Sequence, residues 1–479
     1  MTRKGIQEEM NNVIDLVDHT FFLGERATGV TSVLQCVWVY DGAIDIDGLR
    51  RFHRLLQRGR LSRRVERSPL PFGRHRWVSP TSQADLEIAA PRPRDEFDAW
   101  LGEQANGPID PEHGPEWRLA VLPFTEGGAG VSLVTLHCLS DGVGLCEALA
   151  DATAGRDDPI SWPAAGSRRR WQALREDARQ TRRDMPAIRR AVAAAARLAR
   201  QGPAGAGSAA APLPTNTPAP LAGADERVSL PMATIFVDAD EWDARAHSLG
   251  GTSNSLVAGL AARLGQRMGR VNADGSVTLS MPVNERTAGD TRANAVAPVE
   301  VPVDIADATT DLRGIRAATK LALTRREEFP DERLALLPIT PLVPEWLARR
   351  MIGLAAGGAT TITSSNLGAI DPAVYRPDGT DADCFAIKGY NLGVTRAVMD
   401  RTGGMLAVVA GRLGRQVFVS VLGYQPGRSN SNDELRRILW RTVDDFGLPA
   451  TSGWPITRRE PAGRVAQLHV RRSPAGWRA

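Results

Sequence analysis

Between Gly202 and Gly223 the chain consists almost entirely of Gly, Ala, Pro, Ser and Thr. A tract of that composition buries too little apolar surface to offset the entropy of ordering it, so it is read as a flexible linker. It therefore divides whatever the chain folds into. A length of 479 residues exceeds what one hydrophobic core supports and suits two domains. The expected organisation is an N-terminal lobe over 1–165, an Arg-rich helix with the linker over 166–226, a C-terminal lobe over 227–449, and a loosely held tail rich in Arg, Pro and Gly over 450–479.

Residue patterning makes both lobes mixed α and β. Residues 30–40, 117–124 and 131–137 are rich in Val, Leu and aromatics and predict strands. Ile46, Leu49, Phe52, Leu55 and Leu56 recur at helical spacing over 45–58, and a further helix is expected over 143–153. After the linker, 228–237 predicts a strand and 239–249 a helix; Thr252 or Ser253 is placed to cap a helix from Asn254 to Met268. A strand at 276–282, a strand pair at 404–411 and 415–424 and a helix over 432–446 follow. Residues 168–200 hold eleven arginines in a helical pattern that Pro186 is expected to break or kink. That stretch has three readings: a solvated helix, a helix lying on an anionic membrane surface, or a guide for the phosphates of CoA.

Composition limits the function classes. Hydrophobic residues make up 42% and charged residues 24%, which is globular rather than disordered. The 59 basic and 55 acidic residues nearly cancel, and no nucleic-acid-binding signature accompanies the arginines. Cys36, Cys138, Cys146 and Cys384 are scattered with no CxxC pair, so neither a zinc site nor a disulfide framework is indicated, and a reducing cytoplasmic compartment fits. The polar residues before Val13 lack the apolar core of a signal peptide, and no run of about 18 apolar residues predicts a membrane span. Phosphate-binding loops, GxSxG elbows and HExxH helices are missing, and the remaining histidines do not cluster at metal-ligand spacing. No bound cofactor or metal is expected.

One segment carries usable chemistry. Leu136-His137-Cys138-Leu139-Ser140-Asp141-Gly142 follows a strand and precedes a helix. The strand delivers His137 to the sheet edge, and Asp141-Gly142 turns the chain back. An imidazole titrating near neutrality suits proton removal from an alcohol or amine. Gly142 is expected to serve a left-handed turn. Cys138 and Cys146 flank the motif, as nucleophiles or, more simply, as small buried hydrophobes. Asp18 and Glu25 are read as a helix-start pair or solvated charges, and Asn254 as a helix-cap residue.

The segment resembles the HHxxxDG motif of the CoA-dependent acyltransferase superfamily, with His137, Asp141 and Gly142 in place and Leu136 where the first His stands. Flanking stretches resemble the wax ester synthase/diacylglycerol acyltransferase branch: Asp18–Glu25, Arg63-Arg64-Val65 with Arg76-Trp77-Val78, Pro108-Ile109-Asp110 with Glu116–Leu119, Gly251–Asn254, Met281–Arg286 with Asn294, and Ser365-Asn366-Leu367-Gly368. The resemblance implies two chloramphenicol-acetyltransferase-like lobes in a V shape, each a mixed sheet flanked by helices, with a channel between them. It implies an acyl thioester, on CoA or on the phosphopantetheine of a carrier protein, transferred to a hydroxyl acceptor with His137 as general base. Asp141 then points away from substrate and pairs with an arginine, for which Arg286 is the candidate; Ser364, Ser365 and Asn366 are candidates for oxyanion or substrate contact. Implied partners are a small-molecule or lipid acceptor and, for the second donor, an acyl carrier protein. The two fused lobes imply a monomer, cytoplasmic or attached to a membrane surface. An amide- or ester-forming condensation enzyme, and an inactive homologue that only binds, are the alternatives.

Overall fold

The computed structural model describes residues 12–80, 85–156, 160, 162–201, 226–287, 289–328, 334–344, 360–452 and 454. The expected linker and most of the expected tail lie outside them. The fold is mixed α/β, with two sheets flanked by helices. In the first half the elements are α1 (Leu16–Thr28), β1 (Thr31–Tyr40), α2 (Ile46–Leu56), a ribbon of β2 (Arg64–Glu66) and β3 (Arg76–Val78), β4 (Glu87–Ile88), α3 (Phe97–Ala105), β5 (Trp117–Pro123), β6 (Ala129–Leu136), α4 (Gly142–Thr153) and α5 (Arg170–Gln201). The second half holds β7 (Met232–Asp238), α6 (Ala239–Ser248), α7 (Ser253–Arg267), β8 (Val277–Asn284), β9 (Val296–Val303), α8 (Arg313–Glu328), β10 (Ile362–Ala369), β11 (Cys384–Leu392), α9 (Arg396–Arg401), β12 (Met405–Leu413), β13 (Gln416–Tyr424), α10 (Asn432–Asp445) and β14 (Ala450–Ser452). Short polar side chains start several helices: Asp15, Asp45, Asp141, Asp238, Thr252 and Ser431 each accept a backbone N–H of the first turn.

The first sheet has the order β11-β1-β6-β5-β4. Its central strands are buried along nearly their whole length, which is why they read as continuous apolar runs instead of alternating ones. The second sheet has the order β14-β7-β13-β12-β10-β8-β9, with β10 parallel to both its neighbours. Helix α7 lies across it with ten of its fifteen residues buried. Gly265 makes that approach possible, because a Cβ there would fall 2.1 Å from Ile362 Cδ1.

Three expectations need correction. The range 227–449 does not stay in the second lobe, because β11 pairs antiparallel with β1 along nine residues and completes the first sheet. A strand returning to the other half is invisible to periodicity, which reports burial and not pairing. Pro186 does not end α5; the helix runs through it, with Pro186 exposed. The start of the expected loose tail is held: β14 pairs with β7, and Trp454 packs against Phe97 and Phe236, each 5.5 Å away between ring centroids.

The returning strand joins the two cores. Phe385 of β11 meets Trp38 of β1 at 5.3 Å and Phe418 of β13 at 6.0 Å. One apolar cluster therefore contains first-sheet residues such as Trp38 and Leu133 together with Phe236, Leu413 and Phe418 of the second sheet. Phe385→Ala is expected to cost about 3–5 kcal/mol. Because the ring serves both sheets, urea unfolding followed by far-UV circular dichroism is expected to lose its single sharp transition.

Candidate functional site

His137 sits where β6 ends in a single 3-10 turn, His137–Leu139. The neighbouring residue Leu136 points into the core, fully buried in a cluster with Val33, Trp77 and Val134. The position that holds the first His in the resembling motif is thus a packing position in this chain. The His137 ring stacks on Phe21 of α1, with centroids 5.2 Å apart and planes 10° apart. Its Nδ1 is buried without a hydrogen-bond partner. Burial is the main influence holding its pKa below the ordinary histidine value; its own carbonyl, the charge of Asp141 and Asn294 act in the opposite direction.

Three residues after the 3-10 turn begins, Ser140 is extended and Asp141 caps α4, its Oδ1 accepting from Gly144 N at 2.6 Å. Asp141 Oδ2 accepts from Arg286 Nη2 at 2.8 Å and from Ala295 N at 2.7 Å. Both side chains are nearly inaccessible, at 3% and 2% exposure. Arg286 also donates to the carbonyls of Arg292 and Ala293, and Asp141 N donates to Ala293 O. The pair fastens the loop between β8 and β9, in the second half, to the turn that follows His137.

Two residues from the first half hold the same loop. Asp18 stands in the first turn of α1, as a helix-start residue would, but it is fully buried, so the alternative reading as a solvated charge is corrected. It accepts from Ala293 N, Asn294 N and Asn294 Nδ2 at 3.0, 2.7 and 3.1 Å. Burial lifts its pKa to about 6, against the attraction of Arg63 and those hydrogen bonds. Asn294 Nδ2 also donates to His137 O at 3.0 Å. Arg63, lying 4.8 Å over Trp77, donates to Leu139 O and Thr291 O. Sequence matching marked Asp18, Arg63 and Asn294 but not their joint role. The available signal was the spacing of Asp18, Phe21, Phe22 and Glu25, which puts them on one helical face.

Gly142 does not take a left-handed conformation, another correction: it is the first residue of α4, and its φ is not positive. What it supplies is space, since a Cβ would fall 2.8 Å from Leu367 Cδ2. Gly144, overlooked in the sequence, has a similar role: a Cβ there would lie 2.8 Å from Arg286 Nη2. Strand alternation sorts the candidates on β10. Ser365 is partly buried, and Leu367, two residues further on where the register of β10 shifts, reaches Gly142. Ser364 shares the face of Ile362, which packs on α7, and its hydroxyl is buried without a partner. Asn366, on that face, donates to Asn254 Oδ1 at 3.5 Å, while Thr252, not Asn254, caps α7.

The neighbouring thiols are poor nucleophiles. Burial pushes Cys138 well above its ordinary pKa, and the carboxyl of Glu25, its hydrogen-bond partner, adds to the shift. Glu25 is itself raised to about 7 by burial. Cys146 is pushed up to about 12, chiefly by burial and then by Asp141 and Glu147. Among the described residues no group of three or more His, Cys, Asp or Glu is arranged to hold a metal ion.

No protein-family profile and no curated protein matches the sequence. Solved structures do match the fold. The first condensation domain of the CDA synthetase is similar at a TM-score of 0.56 and 14% identity, covering 91% of this chain and 96% of that one. Polyketide synthase associated protein 5 from Mycobacterium tuberculosis is similar at a TM-score of 0.51 and 14% identity, covering 91% and 97%. The epimerization domain from the third module of tyrocidine synthetase B is similar at 0.51 and 14%, covering 91% and 95%. The chain has the two-lobe fold of the condensation domains.

Two predictions follow from this geometry. Asp141→Asn strands a buried guanidinium, and Arg286→Met strands a buried carboxylate; each is expected to cost about 3–5 kcal/mol in urea unfolding. The double variant is expected to lose less than the sum of the two. The second concerns His19 of α1, 3% exposed, and His75, whose rings stack 4.6 Å apart. Burial is the main cause lowering His19 to about 3 and His75 to about 4. Both folded values lie below the ordinary 6.5, so the unfolded chain binds more protons below that pH. Their contribution is whole above pH 6.5 and is lost as pH falls towards 4 and then 3. Asp18 and Glu25, raised to about 6 and about 7, act in the opposite sense over the same range, so the histidine contribution is read by comparison: from pH 7 to 5 His19→Phe is expected to lose less melting temperature, or gain more, than the parent chain.

Proposed function

We propose that this chain, which has the fold of the condensation domains, is an acyltransferase in which His137 is the catalytic base. The observation that carries the reading is a histidine stacked on Phe21 at the end of β6, kept neutral by burial and held from behind by the Asp141–Arg286 pair. The fold likeness to condensation domains and to polyketide synthase associated protein 5 supports the same reading.

In the proposed reaction the acceptor hydroxyl attacks the carbonyl carbon of an acyl thioester while a free ring nitrogen of His137 takes its proton. A tetrahedral oxyanion forms. The hydroxyl of Ser365 is the proposed donor to it, since Ser365 is only partly buried and stands two residues before Leu367, which reaches Gly142, whereas Ser364 is closed off at 2% exposure. Collapse breaks the carbon–sulfur bond, and the imidazolium returns its proton to the leaving thiolate. The products are an ester and a free thiol. The donor thioester is carried by CoA or by carrier-protein phosphopantetheine, and no bound cofactor is required. Asp141 and Arg286 act as positioning residues, holding the turn that presents His137.

The test is thiol release from acyl-CoAs and acyl-carrier proteins with alcohol and amine acceptors. His137→Ala is expected to lower turnover about 10²–10⁴-fold while the protein stays folded. Ser365→Ala is expected to lower kcat about 10²-fold, and Ser364→Ala to leave it nearly unchanged. Because burial holds the imidazole below 6.5, the acidic limb of kcat/KM is expected below that pH. Release that is indifferent to His137→Ala, or no release from any donor, would move the reading to a binding module, the role that Leu136 in the motif leaves open. Amide formation with amine acceptors alone would make it a condensation enzyme.

A further inference from the structure

Helix α5 sorts its charges by face. Its three carboxylates turn towards the body of the protein. Asp177, 1% exposed, pairs with Arg76 at 3.1 Å and Arg168 at 2.9 Å; Glu176 meets Arg168 at 3.5 Å, and Asp184 meets Arg74 at 3.6 Å. Ala173, Ile188, Ala191 and Ala194 are buried on the same side. The helix also carries nine arginines, all exposed, and among the described residues none of them pairs with a carboxylate. With nine cations against three anions, α5 holds more positive charge than the +4 of the whole chain, so the remainder is net negative.

The exposed face has a second regularity. Trp171, Ala178, Met185 and Val192 recur every seven residues, as do Arg175, Arg182 and Arg189 beside them. Seven residues advance an α-helix by almost two turns, so each set forms a continuous row. Trp171 is 83% exposed, Val192 52% and Met185 37%, large apolar groups left in water. An apolar row beside a cationic row extends along a helix of 32 residues, about 48 Å long.

We propose that this outer face of α5 is a docking surface for an anionic lipid bilayer, with the helix lying parallel to the membrane plane. Guanidinium groups without internal carboxylates find partners in lipid phosphates, which accept their paired N–H groups. Trp171, Met185 and Val192 enter the boundary between headgroups and acyl chains, as apolar groups of interfacial helices do. A nucleic-acid duplex would satisfy the arginines but offers no apolar layer to the row beside them. No helix among the described residues is long and apolar enough to cross a membrane, so contact through α5 would be at the surface. This inference is independent of the proposed acyl transfer.

The experiment is co-sedimentation of the full chain with phosphatidylcholine vesicles and with vesicles that also contain phosphatidylglycerol, at about 0.1 M and about 0.5 M salt. Two variants are compared with the parent chain: the triple reversal R182E/R189E/R190E, and W171A, each checked for an unchanged circular dichroism spectrum and melting temperature. The parent is expected to bind the phosphatidylglycerol vesicles, to ignore pure phosphatidylcholine, and to weaken at high salt. Each surface arginine contributes roughly fivefold, so the triple reversal is expected to lose about a hundredfold or more. W171A is expected to lose several-fold while keeping the salt dependence. Equal binding by the parent and the triple reversal would overturn the proposal. So would failure of the parent to bind phosphatidylglycerol vesicles, whether or not it binds duplex DNA or an acidic carrier protein.

Discussion

The buried pair between Asp141 and Arg286 is the interaction on which the rest of the site depends. It is almost inaccessible to solvent, and its partners come from opposite halves of the chain. Two charges taken out of water are costly unless each finds its counterion and further hydrogen bonds. Here the carboxylate is completed by Gly144 N and Ala295 N, and the guanidinium by the carbonyls of Arg292 and Ala293. The geometry leaves little room for alternatives. It holds the loop before β9 to the start of α4 and so stabilises the turn that presents His137. Asp18 and Asn294 extend the network to α1, and Asn294 reaches the carbonyl of His137 itself. The ring that faces the proposed chemistry is therefore supported from three separate segments.

The apolar counterpart of this network is β11. A strand contributed by the second half completes the first sheet and places Phe385 between Trp38 and Phe418. The polar network orients the motif, while the aromatic packing fixes the two sheets on which its parts are carried. Small residues sit where these elements approach closely. Gly142 admits Leu367, Gly144 admits Arg286, and Gly265 admits Ile362. None of the three is needed for an unusual backbone angle; each is needed because a methyl group would collide.

Burial also sets the ionisation of the site. It lowers His137 and His19, raises Asp18 and Glu25, and pushes the neighbouring thiols up. On the surface, α5 treats charge the opposite way. Its carboxylates are paired and turned inward and its arginines stand free in solvent. Inside, charge is matched to hold a geometry; outside, it is left unmatched.

The sequence by itself determined the mixed α/β class, half of the described strands and most of the described helices, and the place of the strand-to-helix turn. These depend on local patterning: apolar runs, helical spacing, capping side chains and a turn after a strand. It also singled out His137, Asp141 and Arg286, because a strand-to-helix turn bearing a His and an Asp resembles a known motif. Only the tertiary structure decided that β11 crosses to the first sheet, that Pro186 is carried within α5, and that Asp18 is a buried clamp. Each of these depends on contacts between residues far apart in the chain. Periodicity reports how much of a segment is buried. What buries it is set by the partner.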